Sequence, residues 1–173
     1  LQEIKFRGDW LQFGVHKGQT AKILESFILS DQTLHLFDSF EGLPEAWAQT
    51  DFKKGAFKLS PDEIPIFDPE KTEVHKGWFS DTVPAFVSKY SKKIPFIHLD
   101  ADLYSSTIEV LNGLNHLIVP GTVLLFDEFF LPSPEGISED ECQAFFDWVE
   151  NHDRKFQFLW KTEWVQCAIK ILN

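Results

Sequence analysis

The sequence predicts an α/β fold built on one mostly parallel sheet of seven strands, in a single domain covering residues 1–173. Short apolar runs alternate with amphipathic stretches, which is the pattern of repeated β-α-β units. Glycines or acidic residues follow several of the apolar runs, where the carboxyl ends of parallel strands collect ligands. The 173 residues suffice for one well-buried core and are too few for two.

Hydrophobic periodicity defines the elements in order along the chain. It predicts strands near residues 10–15, 33–38, 72–76, 94–100, 121–127, 156–162 and 164–172. It predicts helices near residues 19–29, 81–90, 106–117 and 139–152.

Residues with defined backbone preferences mark several boundaries. Pro84 lies early in the second helix, where its missing N–H costs little. Pro120 and Gly121 end the third helix and turn the chain into the next strand. Ser138 and Glu141 have the spacing of a capping box ahead of the last helix.

Two connections stand out by their length. The last two strands are separated by little more than Glu163, which permits only a hairpin, so the final strand is expected to be antiparallel. Residues 44–71 are rich in Pro, Asp and Lys, and a loop of that length is usually functional. We therefore expect this insertion to lie over the ligand-binding edge of the sheet.

Composition narrows the class of partner. The formal net charge is −11, from 27 acidic and 16 basic residues, which would repel a phosphate backbone and excludes nucleic acid. No apolar run approaches the length of a membrane span, so no membrane partner is expected. Cys142 and Cys167 lack the spacing of a metal or redox site, and reduced thiols favour a cytoplasmic location. A small-molecule partner fits best, and homo-oligomers stay open.

A glycine turn follows the first strand, in the stretch of Gly14, Val15, His16 and Gly18. Glycines at such a turn let backbone N–H groups approach a ligand closely. The stretch lacks both GxGxxG and the GK[ST] ending of a phosphate-binding loop, so a plain tight turn is the alternative.

Asp38 ends the second strand, roughly 20 residues after the glycine turn. An acidic residue at that place binds ribose hydroxyls in dinucleotide-binding folds. The alternative is an Asp that caps a helix or a turn. Together with the turn, Asp38 favours a nucleoside-bearing cofactor.

Three carboxylates follow two strands that are expected to be neighbours. Asp100 ends the fourth predicted strand, and Asp127 and Glu128 end the fifth. Gathered at one low-dielectric edge, they would repel one another unless a cation bound among them. All-oxygen ligands favour Mg²⁺, Mn²⁺ or Ca²⁺ over zinc. The alternative is that Asp100 and Asp127 only cap the following helices.

Other side chains have both a functional and a structural interpretation. His98 shares the strand face of Asp100 and is a candidate base, or else a hydrogen-bonded core residue. His16 is either a neighbour of the cofactor or an exposed turn residue. Trp78 and Phe79 follow the third strand, where a base could stack, or they belong to the core.

Five segments together resemble the macrocin O-methyltransferase family of class I S-adenosylmethionine-dependent methyltransferases. They are "FGVHKGQTA", "LHLFDSFEGLP", "VHKGWFSDTVP", "IHLDADLYSST" and "GTVLLFDEFF", in that order. The resemblance implies a Rossmann-like, seven-stranded sheet whose final strand is antiparallel. It also implies methylation of a hydroxyl of a small molecule, either the sugar of a natural product or a phenol.

The resemblance further implies roles for individual residues. The methionine part of the cofactor would lie against Gly14, Val15, His16 and Gly18. The ribose hydroxyls would bind Asp38, with Ser39 and Phe40 nearby. The adenine would be bordered by Trp78, Phe79, Ser80 and Asp81. Mg²⁺, or another divalent cation, would bind Asp100, Asp127 and Glu128, and either Asp100 or Asp102 would accept the substrate proton.

The chain departs from the family pattern at three places. Gln12 stands where the family usually has Glu, and Glu128 stands where its metal pair usually has a second Asp. The family also has helices ahead of the first strand, so that cover is absent or lies outside this segment. Two other functions stay open: a cofactor-binding module without turnover, which the first two departures favour, and a nicotinamide-dependent dehydrogenase, which would not explain the three carboxylates.

Overall fold

The computed structural model describes residues 2–48, 50–130, 132–133, 136–137, 140–162 and 165–173. The strands are β1 Trp10–Phe13, β2 Leu34–Asp38, β3 Thr72–Lys76, β4 Phe96–Leu99, β5 Val123–Phe126, β6 Pro132–Ser133, β7 Gly136–Ile137, β8 Phe156–Lys161 and β9 Cys167–Ile171. The helices are α1 Gln19–Glu25, α2 Phe79–Val87, α3 Tyr104–Leu114 and α4 Glu141–Asn151.

Seven of the strands form one sheet in the order β3-β2-β1-β4-β5-β9-β8. The first five strands of the chain pair in parallel, and β9 runs antiparallel to both β5 and β8. The predicted fold class, including the antiparallel last strand, is confirmed. The strand order reverses between β1 and β4, and ligands bind at such a switch point in α/β sheets.

The strand alternation assigns each side chain to one of two faces. On one face, Leu11, Phe13 and Leu99 pack in a core with residues of α2, α3 and α4. On the other face, Trp10 and Phe96 pack with residues of α1 and of the insertion. His98 and Asp100 lie two and four residues after Phe96. Their side chains therefore also point to the α1 face.

Two local features differ from expectation, and one expectation is not tested. Helix α1 ends at Glu25, because the Ser26 hydroxyl donates to the Ile23 carbonyl (2.6 Å) and so competes with helical bonding. The short antiparallel pair β6–β7 was not predicted. The expected capping residue Ser138 lies outside the described residues. None of the helices that the structure describes has the length and apolar character needed to cross a bilayer.

Candidate active site

A cleft of about 680 Å³ opens at the carboxyl ends of β1, β2 and β4. Twelve of the predicted site residues line it: Gly14, Val15, His16, Asp38, Ser39, Phe40, Trp78, Phe79, Ser80, Asp100, Asp102 and Glu128. The other predicted residues lie outside this lining: Gly18, Asp81, His98 and Asp127. One concave site thus brings the glycine turn and two of the three predicted metal-binding carboxylates together.

The glycine turn depends on a close backbone approach. Gly14 has φ 83°, and a Cβ added there would lie only 1.7 Å from the carbonyl oxygen of Asp100. Only glycine fits this position, because any side chain would displace the end of β4. Gly18 has φ 76° and faces Phe67 and Pro65 of the insertion, so it serves packing outside the cleft.

Asp38 is bonded by the backbone of both turns beside it. Its Oδ2 accepts from the N–H groups of Val15 (2.7 Å) and His16 (2.8 Å). Its Oδ1 accepts from the Phe40 N–H (2.7 Å). A carboxylate offers about four acceptor positions, so Asp38 keeps about one for a ligand.

The three carboxylates at the ends of β4 and β5 lie close together. Candidate ligand oxygens of Asp100, Asp127 and Glu128 all fall within 4.8 Å of one another. Strand register explains this, because Leu99 and Phe126 are paired and the next residues along the two strands are Asp100 and Asp127. Within the described residues, the buried Oε2 of Glu128 has no hydrogen-bond partner.

Burial and mutual repulsion raise the pKa values of these acids. Burial, followed by the charges of Asp127 and Asp102, raises the pKa of Asp100 to about 8. Burial, followed by the charge of Glu141, raises the pKa of Glu128 to about 10. A divalent cation would oppose both shifts, since it favours the ionised carboxylates.

Asp102 lies in the turn between β4 and α3 with a left-handed backbone, at φ 61°. Burial, followed by the charge of Asp127, raises its pKa to about 7. The N-cap of α3 is Leu103, and no described side chain caps that helix by a hydrogen bond. Asp100 therefore does not cap α3. Asp127 does not cap α4 either, because the N-cap of that helix is Asp140, so the capping alternative is wrong.

His98 lies in the core beneath the cleft and is only 1% exposed. Burial lowers its pKa to about 4, so its imidazole is neutral. Its Nδ1 has no hydrogen-bond partner among the described residues, and its paired neighbour on β1 is Gln12. This placement favours the core interpretation of His98 over the catalytic one.

Glu141 was missed as a site residue and was expected only to cap a helix. Its side chain is fully buried, and its Oε1 accepts from the Ala101 N–H while its Oε2 accepts from the Glu128 N–H (both 3.1 Å). It thereby ties the loop after β4 to the loop after β5. Its partners lie 40 and 13 residues away, so no local pattern could have revealed this role.

The insertion covers the cleft, as predicted, and is anchored at both neighbouring helix starts. The Trp47 indole N–H donates to Asp140 Oδ2 (2.7 Å), and the Ser105 hydroxyl donates to Glu45 Oε1 (2.6 Å). Trp47 also packs with Leu103 in a small buried cluster. The insertion residues that line the cleft are Pro44, Trp47, Thr50, Phe52 and Phe57.

Aromatic rings line the cleft where the chain passes from β3 into α2. Trp78 precedes α2 and Phe79 begins it, and the Phe79 ring meets Phe13 edge-on at 5.3 Å. Both rings are half-buried, which leaves flat apolar surface towards the cleft. Asp81 lies in the first turn of α2 and is exposed.

A family model described as macrocin-O-methyltransferase (TylF) matches residues 2–141. The demethyldecarbamoylnovobiocin O-methyltransferase of Streptomyces niveus is 24% identical over 160 residues, which cover 81% of this chain and 60% of that protein. The mycinamicin III 3''-O-methyltransferase of Micromonospora griseorubida is 23% identical over 157 residues, covering 73% of this chain and 57% of that protein. The chain thus spans between about half and three-fifths of the length of the curated relatives it matches.

Solved structures share the fold. A calicheamicin methyltransferase superposes with a TM-score of 0.80 at 18% identity, over 98% of this chain and 74% of that one. The O-methyltransferase NovP gives 0.76 at 19% identity, over 96% of this chain and 73% of that one. An O-methyltransferase from Bacillus cereus in complex with SAH gives 0.62 at 14% identity, over 95% and 74% of the two chains. At these identities the likeness concerns the fold.

Proposed function

Because the chain belongs to the macrocin O-methyltransferase family, whose model matches residues 2–141, we propose that its cleft transfers a methyl group from S-adenosylmethionine to a hydroxyl of a small molecule. We take the acceptor to be a sugar of a natural product or a phenol. Two of the compared proteins carry rhamnose in their names, one as a tetracenomycin 4'-O-methyltransferase and one as a TDP-rhamnose 3'-O-methyltransferase.

One observation carries this proposal: the glycine turn touches the end of β4. The contact between Gly14 and the Asp100 carbonyl puts the proposed cofactor half of the cleft directly against the carboxylates. Methyl transfer needs this adjacency, because the attacking oxygen must lie in line with the methyl group at near-attack distance.

The cofactor half would hold the nucleoside and the methionine part on different groups. The backbone of the turn from Gly14 to His16 would lie against the methionine part of the cofactor. The Gly18 N–H closes that turn by donating to the Val15 carbonyl (2.8 Å). Asp38 has about one acceptor position left for a ribose hydroxyl, with Ser39 and Phe40 beside it. Trp78, Phe79 and Ser80 would border the adenine, whereas Asp81 lies outside the lining and is assigned no contact. When bound, S-adenosylmethionine supplies an activated methyl group on a sulfonium.

The acceptor half fits a divalent cation such as Mg²⁺. Asp100, Asp127 and Glu128 offer oxygen ligands alone, the type that Mg²⁺, Mn²⁺ and Ca²⁺ prefer. The buried Glu128 Oε2, which has no partner within the described residues, is the kind of atom that an ion would satisfy. When bound, the ion lowers the pKa of the acceptor hydroxyl and fixes its oxygen.

We assign proton transfer to Asp102. It lines the cleft, and within the described part of the chain it is not one of the carboxylates grouped closely enough to share an ion. Its raised pKa of about 7 suits a general base near neutral pH. Its carboxylate accepts the proton that the hydroxyl loses as the hydroxyl oxygen takes the methyl group. The insertion, anchored through Trp47, lines the cleft beside this step.

Calorimetry and turnover on one preparation test the proposal. S-adenosylmethionine should bind and NAD should not, and a panel of glycosides and phenols with Mg²⁺ should reveal an acceptor. Asp127→Ala or a chelator should reduce turnover by roughly 100-fold or more while cofactor affinity is kept. Asp31→Ala is the matched control, because Asp31 is exposed and pairs with Arg7.

Each other outcome has its own meaning. Binding of NAD alone would support the dehydrogenase and overturn the proposal. Binding of S-adenosylmethionine without turnover on the whole panel would support a cofactor-binding module. Turnover that survives both the chelator and Asp127→Ala would remove the metal from the mechanism.

A further inference from the structure

A second group of metal-ligating side chains lies away from the cleft, where β2 pairs with the edge strand β3. His35 comes from β2, and Glu73 and His75 come from β3. Register pairs His35 with Glu73 and Phe37 with His75, so all three side chains share the sheet face that α2 covers. His35 lies three residues before Asp38, roughly 10 Å along the strand, and is not part of the cleft lining.

The two ring nitrogens and the two carboxylate oxygens of Glu73 have separations close to those of ligands in a tetrahedral site. His35 Nδ1 and His75 Nε2 are 3.1 Å apart. Glu73 places Oε2 3.6 Å from His35 Nδ1 and Oε1 3.8 Å from His75 Nε2. Zinc bonds of about 2.0–2.1 Å at tetrahedral angles put ligand atoms roughly 3.3–3.5 Å apart, which these distances bracket.

The surroundings orient the buried histidine for such a role. His35 Nε2, the nitrogen that faces away from the group, points towards Asp9 Oδ2 at 3.9 Å. Asp9 is itself buried and fixed by the Thr33 N–H (3.0 Å) and by Lys92 (3.3 Å). This distance is too long for a hydrogen bond, so Asp9 supplies a negative charge behind the ring. In zinc proteins, a carboxylate that hydrogen-bonds the outer nitrogen of a ligating histidine sets its tautomer and its ring orientation.

The group is also open to an ion and ready to bind it. Glu73 is exposed (62% of its side chain), which leaves an entry path and a fourth position for water. Each ring nitrogen that faces the group can donate a lone pair to an ion when its imidazole is neutral. The rings are held rigidly, because Phe37 stacks on His75 at 4.4 Å and Phe86 packs against His35 at 4.9 Å.

We propose that His35, Glu73 and His75 form a binding site for a divalent transition-metal ion of the zinc type, separate from the carboxylates of the cleft. Imidazole nitrogens select zinc over magnesium, whereas the all-oxygen group at Asp100 has the opposite preference. The ion would join β2 to the edge strand β3 and so stabilise one side of the sheet. A direct hydrogen bond between the two imidazoles is the competing explanation of their 3.1 Å separation.

A Zn²⁺ titration of the whole chain tests the site. The titration is run with Mg²⁺ in excess, so that Mg²⁺ occupies the carboxylates of the cleft. We expect one equivalent of Zn²⁺ to bind and to shift the ring ¹⁵N signals of His35 and His75, while those of the exposed His116 stay in place. If Zn²⁺ does not bind, or binds without shifting these two rings, the proposal fails and the imidazole hydrogen bond is the better explanation.

Variants provide the second measurement. His75→Gln and Glu73→Gln should each weaken Zn²⁺ binding by roughly tenfold or more, and His116→Gln should not change it. If a variant folds poorly, the ring ¹⁵N signals of the unsubstituted chain still show whether Zn²⁺ binds at His35 and His75. Unchanged affinity in both folded variants would overturn the proposal. None of these readouts depends on methyl transfer, so this inference and the proposed function can fail separately.

Discussion

Acidic side chains occupy two places at the same edge of the sheet, and their hydrogen-bond partners differ. The first group is Asp38 alone, and the second group is Asp100, Asp127 and Glu128. Asp38, at the end of β2, accepts three backbone N–H groups at 2.7–2.8 Å. Asp100, Asp127 and Glu128, at the ends of β4 and β5, mainly face one another. The first charge is stabilised by three backbone donors. Among the described residues, the second set has one long hydrogen bond, from the Gln166 amide to Asp127 Oδ1 (3.4 Å), and a Glu128 Oε2 without a partner.

This difference shows how one fold can prepare two kinds of binding. A carboxylate stabilised by backbone donors keeps its position with or without a ligand, so it can define the shape of a turn. A set of unbalanced carboxylates raises its own pKa values and becomes fully charged only beside a cation. We therefore expect substitution of Asp38 to alter the shape of the glycine turn. Substitutions in the second group should alter the charge at the ends of β4 and β5.

The largest effect on stability is expected at Glu141, which sets the geometry of the second group. Glu141→Ala would leave the buried N–H groups of Ala101 and Glu128 without an acceptor, at about 1–3 kcal/mol each. The free energy of unfolding, measured in denaturant, should fall by about 2–5 kcal/mol. Metal affinity should fall with it, because the loops after β4 and β5 would no longer be tied.

Glu141→Gln is the matched variant. Its amide oxygen can accept one of the two bonds, so it should lose about half as much stability as the alanine variant. Equal losses in the two variants would show that these hydrogen bonds do not explain the role of Glu141.

A smaller loss is expected at Asp38, where the comparison predicts a change of shape. Asp38→Asn keeps one acceptor oxygen and turns an NH₂ group towards backbone donors. Unfolding free energy should fall by about 1.5–3 kcal/mol, the range for hydrogen bonds to a charged group. Calorimetry should show weaker binding of S-adenosylmethionine as the glycine turn loosens.

Ser39→Ala serves as the control, since the Ser39 hydroxyl accepts only a neutral bond from the Glu41 N–H (3.0 Å). It should cost about 0.5–1.5 kcal/mol. If Asp38→Asn is as mild as this control, the backbone bonds to Asp38 do not hold the turn.

Counted per proton and per pH unit, the smallest effect is the pH dependence of the second group. The raised pKa values of Asp100 (about 8) and Glu128 (about 10) mean that the folded, metal-free protein keeps protons that the unfolded chain has released. The unfolding free energy should therefore fall as pH rises from about 7 to 8.5, by at most about 1.4 kcal/mol per pH unit for each proton.

Added Mg²⁺ should flatten this dependence, and Asp100→Asn should reduce it. Thermal or denaturant unfolding across that pH range, with and without Mg²⁺, measures both effects. Stability that rises with pH, or a slope that Mg²⁺ leaves unchanged, would contradict the view that the described residues leave these charges unbalanced.

The sequence predicts a structural feature well when neighbouring residues determine it, and poorly when contacts between distant segments do. Strand periodicity and the rule that neighbouring parallel strands end together are local, and they brought Asp100, Asp127 and Glu128 to one edge correctly. Glu141 was read only as a helix start, because its two acceptor bonds join segments far apart in the chain.

Other features were not predicted because they depend on distant residues or on a single hydrogen bond. The group formed by His35 and His75 joins residues 40 positions apart, and only strand register shows that they meet. The end of α1 depends on one hydroxyl bond of Ser26, which periodicity does not register. His98 shares a sheet face with Asp100 but lies inside β4, two residues before Asp100, and so stays outside the cleft lining.

The contact between Gly14 and the Asp100 carbonyl has a consequence for how such a site can change. The separation between the glycine turn and the carboxylates is set by two stretches of main chain in contact, not by side chains. Substitutions of lining side chains that do not hold this turn can therefore alter which molecule fits while this separation is conserved. In the proposed reaction, acceptor choice can vary at such positions while the main-chain contact at Gly14 keeps the reaction distance.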